Sequence, residues 1–226
     1  MRIIAYLHTS HVLIPMFTQL SKREMPEVEI FHLVDESLIK NTIREGRLTK
    51  NTIRRVLTMV ESAHDGGAEA VVVTCSSIGP AASMARELFD FPVIRVDEAM
   101  AEQAVRTGRR IGVAATLKTT LEPTVRLIRE KAAAAGSEVS IVESLCAGAF
   151  EAVLAGDTAT HDRMLAESLT RLVEDVDVVV LAQASMARIV QMLSPEVKRV
   201  PMLSSPELAV RSAHASLCPE RETSLV

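Results

Sequence analysis

One segment of the sequence passes from a continuous apolar run through a polar turn to a Gly-Pro pair: Val71-Val72-Val73-Thr74-Cys75-Ser76-Ser77-Ile78-Gly79-Pro80. An apolar run that does not alternate with polar residues is typical of a strand covered on both faces. Gly79 and Pro80 suit the N-cap and the first position of a helix. The segment therefore predicts a strand, a turn and a helix of a parallel α/β sheet.

Similar short apolar runs recur along the chain, with amphipathic segments between them. They cover residues 3–7, 28–34, 70–73, 93–96, 111–114, 139–142 and 176–181. In residues 49–64, apolar side chains recur at helical spacing between an N-cap candidate, Thr49, and a Gly66-Gly67 stop. Alternation of strands and helices favours a parallel α/β architecture. A TIM barrel needs eight such units over about 250 residues, so we expect open sheets instead.

The chain also repeats itself at a fixed offset of 108 residues. The matches are Arg2-Ile3-Ile4 with Arg110-Ile111-Gly112, residues 71–75 with 179–183, and Val34-Asp35 with Val142-Glu143. Residues 92–94 resemble residues 200–202 with a slip of one position. A repeat of this kind indicates duplication. We expect two pseudo-symmetric, flavodoxin-like half-domains, residues 1–97 with a C-terminal segment at about 206–226, and residues 98–205. Ligands of open parallel sheets bind beyond the carboxyl ends of strands, here in the cleft between the halves.

Composition excludes several classes of function. The 226 residues are 48% hydrophobic and 24% charged, and the net charge is −4, so nothing predicts a basic surface for nucleic acid or an anionic membrane. Aromatic residues make up 3% of the chain, which argues against base stacking. The sequence has no Gly-rich or Walker motif for a nucleotide.

Cysteine usage predicts neither a disulfide framework nor a metal site. The three cysteines, Cys75, Cys146 and Cys218, are odd in number and unclustered, and no zinc-type spacing occurs. No apolar stretch reaches the roughly 18 residues that a membrane span needs. We therefore expect a soluble protein of the reducing cytoplasm, without metal.

The turn after residues 70–73 carries the strongest chemical signal. Cys75 is predicted to lie between the carboxyl end of a strand and the amino end of a helix, where backbone N–H groups stabilise anions. The same field lowers the pKa of a thiol, and the hydroxyls of Ser76 and Ser77 are suited to hold a carboxylate. Cys75 is then either a nucleophile or base beside an anion pocket, or a small buried thiol at a strand end.

Two further turns follow predicted strands. The hydroxyls of Thr116, Thr119 and Thr120 crowd one strand-to-helix junction, where they either bind an anion or cap the helix. The 108-residue offset makes residues 8–11 its counterpart, with His8 and His11 as candidate proton donors and Ser10 beside them. The third turn, residues 182–186, contains Gln183 where the repeat expects a partner for Cys75, and Ser185 opposite Ser77. The amide of Gln183 donates and accepts hydrogen bonds but transfers no proton.

Together these turns resemble those of the Asp/Glu/hydantoin racemase superfamily, over essentially the whole chain. The resemblance implies two half-domains around a pseudo-dyad, no cofactor, and an active site between them that takes a small carboxylate substrate. It implies that two cysteines flank the substrate, one removing the proton α to a carboxylate and the other returning a proton to the opposite face. The resemblance is also the only basis for expecting a homo-oligomer.

This sequence keeps the first cysteine as Cys75, whereas the second falls on Gln183. The resemblance and the turns predict a racemase or isomerase with Cys75 as acid/base. The residues expected to bind or polarise the substrate carboxylate are Ser76, Ser77, Thr116, Thr119, Gln183, Ser185, His8 and Ser10. One alternative is a decarboxylase or lyase of a malonate-like acid that uses a single cysteine. Another is a carboxylate-binding protein without catalysis, since a fold does not determine function. Cys146 is a further candidate for the cleft.

Overall fold

The computed structural model describes residues 2–217, which form two four-stranded parallel sheets. The first sheet contains β1 (Ile3–His8), β2 (Glu29–Val34), β3 (Ala70–Val73) and β4 (Val93–Arg95). The second contains β5 (Arg110–Ala115), β6 (Ser140–Leu145), β7 (Val178–Leu181) and β8 (Met202–Ser204). β3 and β7 are buried along their whole length, as their unbroken apolar sequences predict.

Helices connect successive strands of each sheet. In chain order they are α1 (Ile14–Glu24), α2 (Glu36–Glu45), α3 (Lys50–Asp65), α4 (Gly79–Ala85), α5 (Glu98–Thr107), α6 (Lys118–Ala134), α7 (Ala149–Leu154), α8 (Thr158–Leu172), α9 (Ile189–Met192) and α10 (Ser205–Leu217). α3 begins where its sequence predicts, because the Thr49 hydroxyl accepts a hydrogen bond from the Thr52 amide. None of the helices in residues 2–217 has both the length and the apolar character to cross a bilayer.

The two sheets have the same strand order. It is β2-β1-β3-β4 in the first and β6-β5-β7-β8 in the second, and all neighbouring strands are parallel. The predicted fold, two pseudo-symmetric flavodoxin-like halves with parallel sheets, is confirmed. Because α10 packs its buried side chains Ala209, Val210 and Ala213 on the core of the first sheet, this helix returns to the first half.

The repeat does not keep one offset. Strand register equates Val73 with Leu181 at an offset of 108, as predicted, but Ile4 with Ile111 at 107. Val34 corresponds to Leu145, so the predicted match of Val34-Asp35 with Val142-Glu143 is wrong. Insertions in the connecting segments shift each strand separately while the pairing within each sheet is conserved.

The start of α4 also differs from the prediction. Gly79 is the first residue of α4 rather than its N-cap, because a 3₁₀ turn, Ser76–Ile78, precedes the helix. Cys75 caps that turn in an extended conformation. The thiol therefore lies at the first tight turn after β3.

Candidate active site

A cavity of about 810 Å³ lies between the two halves, at the carboxyl ends of their strands. The turns after β1 and β3 line it from the first half, and the turns after β5 and β7 line it from the second. α2 and α7 form its outer wall. Parallel sheets bind ligands at this edge, so the cavity is the candidate active site.

Cys75 lies on the wall of this cavity, surrounded by hydrogen-bond donors. The hydroxyls of Thr9 and Ser77 and the backbone N–H groups of Ser77 and Ile78 lie close enough to its sulfur to favour the thiolate. Burial nevertheless raises the pKa of the Cys75 thiol, because loss of solvent outweighs these hydrogen bonds. The prediction of a lowered pKa was therefore wrong: the donors that it invoked are present, but they do not compensate for desolvation.

Gln183 occupies the corresponding position in the second half. Its side-chain oxygen accepts hydrogen bonds from the Thr116 amide at 2.6 Å and from the Thr116 hydroxyl at 2.9 Å. Because a backbone N–H can only donate, the carboxamide must turn its oxygen to Thr116. Its NH₂ group has no hydrogen-bond partner within residues 2–217 and is left as a donor on the cavity wall.

These contacts are pseudo-symmetric. Thr9 directly follows β1 and contacts Cys75, while Thr116 directly follows β5 and contacts Gln183. Register makes Thr9, not His8, the counterpart of Thr116. Each half thus presents one threonine and, beside it, a residue that differs between the halves. That residue carries a thiol in the first half and an amide in the second.

Ser76 and Ser77 connect the halves. The Ser77 hydroxyl lies 2.8 Å from that of Thr120 on α6, and the Ser76 hydroxyl donates to the Ala182 carbonyl at 3.3 Å. Both serines line the cavity and are buried. They therefore hold the two turns at a fixed separation in addition to facing the ligand space.

The structure brings most of the predicted site residues together. Besides Cys75 and Gln183, the cavity is lined by Ser10, Ser76, Ser77, Thr116 and Ser185. His8 and Thr119 do not line it. The helical phase of α6 turns Thr120 towards the cavity instead and leaves the Thr119 hydroxyl buried without a partner.

The other two cysteines do not join Cys75. Cys146 is buried among apolar residues of the second half, including Leu165 and Leu169, and does not line the cavity. Its pKa is raised by burial. Cys218 lies outside the described residues.

His8 lies behind the cavity wall, fully buried beside Tyr6 and Phe17. Its Nδ1 is 2.8 Å from the Thr74 hydroxyl, which donates to the Leu7 carbonyl. Since that hydroxyl proton is committed, His8 Nδ1 must be the donor and its Nε2 an acceptor. Burial, and secondly the neighbouring His32, lower the pKa of His8 to about 4. His8 therefore supports Thr74, next to Cys75, rather than touching a ligand.

The rest of that hydrogen-bond chain has a fixed direction too. His8 Nε2 accepts from His32 Nδ1 at 2.9 Å, and His32 Nε2 accepts from the Thr18 hydroxyl at 3.0 Å. Burial lowers the pKa of His32 as well. Both rings are thus held in the neutral form.

Sequence reasoning missed two features of the site. Part of the outer cavity is apolar, with Leu13 and Ile39 on the first half and Leu117, Phe150 and Val153 on the second, beside the charged side chains of Glu36, Lys40, Arg44 and Glu151. His161, on α8, also lines the cavity. Leu13 and Leu117 lie in the turns after β1 and β5, whereas Ile39, Phe150, Val153 and His161 lie on helices away from the strand ends, where only the helical pattern of α2, α7 and α8 gave a signal.

The chain matches a known protein family and superposes on several solved structures. The family model described as Asp/Glu/Hydantoin racemase matches residues 4–213. Glutamate racemase RacE1 from Bacillus anthracis superposes with a TM-score of 0.74 and 20% identity, over 96% of this chain and 81% of that one. Allantoin racemase from Klebsiella pneumoniae gives 0.71 and 18%, over 96% and 88% of the two chains.

A third similar structure carries a ligand in its description. Glutamate racemase from Francisella tularensis, in complex with D-glutamate, has a TM-score of 0.75 at 16% identity and covers 96% of this chain and 81% of its own. A search of curated proteins finds no match. At these identities the structural neighbours show the shared two-half fold.

Proposed function

Because the chain belongs to the Asp/Glu/hydantoin racemase family, we propose that it is a cofactor-independent racemase that moves the proton on the carbon next to a carboxylate. Its substrate is a small acid or an amino-acid derivative, and Cys75 is an acid/base. One observation carries the proposal: Cys75 and Gln183, at corresponding positions after β3 and β7, line the same cavity between the halves.

The chemistry requires stabilisation of negative charge. Removal of the α proton leaves an electron pair that delocalises onto the carboxylate as an enediolate-like dianion. Fixed donors that meet such a charge are often the largest catalytic contribution. The NH₂ group of Gln183 and the hydroxyls of Ser10 and Ser185 line the cavity and supply such donors.

Cys75 supplies a proton to carbon or takes one from it. Because burial raises the pKa of Cys75, the thiol is its resting form, and the group begins as a proton donor. Gln183 cannot do this, because a carboxamide has no proton to exchange near neutral pH. Cys75 is therefore the acid/base, and Gln183 orients and polarises the carboxylate.

Deuterium exchange at the α-carbon tests the proposal. The probes are both enantiomers of glutamate and aspartate, which the names of the family and of its structural neighbours provide, and of phenylalanine, which suits the apolar part of the outer cavity. We expect the protein in heavy water to exchange and invert at least one pair, and Cys75→Ala to lose inversion at least 100-fold.

The other outcomes are distinct. Full turnover by Cys75→Ala contradicts the proposed role of Cys75. Binding of these acids without exchange indicates a carboxylate-binding protein. Carbon dioxide release from phenylmalonate without exchange of the amino acids indicates a decarboxylase.

A further inference from the structure

The buried histidine of the second half, His161, has an unused ring nitrogen at the cavity. His161 belongs to α8, whose Leu165 and Leu169 pack in the core of the second half. Only 2% of its surface is exposed, yet it lines the same cavity as Cys75, which belongs to the first half. The two groups thus reach the ligand space from different halves.

Neighbouring charges fix the tautomer of His161. Its Nδ1 lies 2.7 Å from a carboxylate oxygen of Asp162 and 3.4 Å from Arg188 Nη2, while Arg188 donates to both oxygens of that carboxylate at 2.8 and 2.6 Å. Because the carboxylate is the closer partner and can only accept, and Arg188 Nη2 already donates to it, Nδ1–H donates to Asp162. Nε2 of the neutral ring therefore carries the lone pair.

The nitrogen that carries this lone pair, Nε2, is not fully enclosed by protein atoms. Nε2 has no hydrogen-bond partner within residues 2–217, where the only buried side-chain nitrogen or oxygen without a partner is the Thr119 hydroxyl. Nε2 is therefore not sealed in the core, and the space that His161 lines is the cavity. A carboxylate that holds Nδ1–H and leaves Nε2 to the substrate is the arrangement of a general base.

From this arrangement we infer that His161 is the second acid/base of the reaction, acting from the half whose cysteine position is occupied by Gln183. The inference rests on the proposed function. Apart from His161, the one ionisable side chain of the second half that lines the cavity within the described residues is that of Glu151, which is exposed on α7. Asp162 and Arg188 are positioning residues, because they act through the histidine ring.

The proton balance is complete without a co-reactant. Nε2 of His161 takes the α proton of one enantiomer, and the C–H electron pair delocalises onto the carboxylate. The Cys75 thiol then gives its proton to the opposite face of the carbon, and the delocalised pair forms the new C–H bond. The protein is left as thiolate and imidazolium, which run the same steps in reverse on the other enantiomer or exchange protons with water.

Stereospecific exchange tests the inference with the six probe enantiomers. In His161→Asn, the amide can still donate to Asp162 but cannot accept a proton. We expect inversion to fall at least 100-fold, while Cys75 still exchanges the α proton of one enantiomer with retention. Cys75→Ala should show the converse, with exchange of the other enantiomer alone. His64→Asn, outside the cavity, is the matched control and should behave as wild type.

The other possible results contradict either the role of His161 or the proposed function. Inversion by His161→Asn within threefold of wild type, or equal loss of exchange for both enantiomers, overturns the inference. Absence of exchange in the wild-type protein instead overturns the proposed function, and the inference with it. Nitrogen-15 spectra of the histidine-labelled protein give a readout without substrate: we expect the Nδ1–H tautomer at His161, and an Nε2–H tautomer would refute the assignment.

Discussion

The side-chain oxygen of Gln183 accepts two hydrogen bonds from Thr116, one from the backbone and one from the hydroxyl. This pairing leaves one face of the amide as a donor towards the cavity. It corresponds to the contact between Thr9 and Cys75 in the other half. A duplicated turn thus holds a thiol in the first half and an amide in the second.

Gln183→Glu separates these two functions of the amide. The new carboxylate still accepts from Thr116, but it replaces the NH₂ donor by a negative charge facing an anionic substrate. Loss of one such donor typically costs about 2.7–4 kcal/mol of transition-state stabilisation, so kcat/KM for inversion should fall about 100- to 1000-fold. Gln191→Glu, exposed on α9, controls for the added charge. Retention of kcat/KM within threefold by Gln183→Glu would show that its NH₂ group does not meet the substrate.

The sequence predicts the fold well because its strongest signals are local. Unbroken runs such as Val71–Val73 are unambiguous, and the repeat reveals the second sheet. The difference in residue number between corresponding strands of the two halves varies, because the connecting segments differ in length. The matching apolar runs do not show these differences in length. Glu143 therefore lies within β6 rather than after it.

Site residues at strand ends were predictable for the same reason. Cys75 and Gln183 each lie two residues after a buried strand, so their shared edge follows from topology. The pKa of Cys75 depends on its burial in the tertiary structure, which no local pattern records. His161 comes from the middle of a polar segment, and only tertiary packing brings it to the cavity.

Alkylation of Cys75 should report its raised pKa. The thiolate is the nucleophile, and a thiol with a pKa above 9 is less than about 1% ionised at pH 7. In a Cys146→Ser, Cys218→Ser background, we expect the rate of reaction with iodoacetamide to be slow at pH 7 and to rise through pH 9 without a plateau. Mass spectrometry of the labelled protein measures the rate, and glutathione is the reference thiol. A plateau between pH 6 and 8 would mean that the hydrogen bonds to sulfur outweigh desolvation.

Ser77→Ala should weaken the contact between the halves. It removes the 2.8 Å hydrogen bond to Thr120 and leaves that buried hydroxyl without its partner, which costs about 1–3 kcal/mol. Urea denaturation should show this loss in the free energy of unfolding. Ser62→Ala, which removes an exposed hydrogen bond on α3, should change stability by no more than about 0.5 kcal/mol.

Thr120→Val in the Ser77→Ala background completes this test. With both hydroxyls removed no buried group lacks a partner, so part of the lost stability should return. Additive losses in the double variant would indicate that the two hydroxyls are not coupled across the cleft.

Protonation of the His8–His32 pair should destabilise the protein in acid. The pKa of His8 falls from about 6.5 in the unfolded chain to about 4 in the folded protein, so the unfolded state binds the proton more tightly. The free energy of unfolding should therefore be constant above about pH 7 and decrease from pH 6.5 to 4, by up to about 3 kcal/mol for His8. Urea denaturation at pH 7.5, 6.0, 5.0 and 4.5 measures the slope.

His8→Asn isolates the contribution of that ring. Its amide can still donate towards Thr74, but it does not titrate, so the variant should lose part of the acid dependence between pH 6.5 and 4. His64→Asn, on the exposed side of α3, controls for removing a histidine elsewhere. Because carboxylates also titrate near pH 4, the comparison rests on the difference between variants, not on the wild-type slope. Identical slopes for His8→Asn and the wild-type protein would show that His8 is protonated equally in the folded and unfolded states.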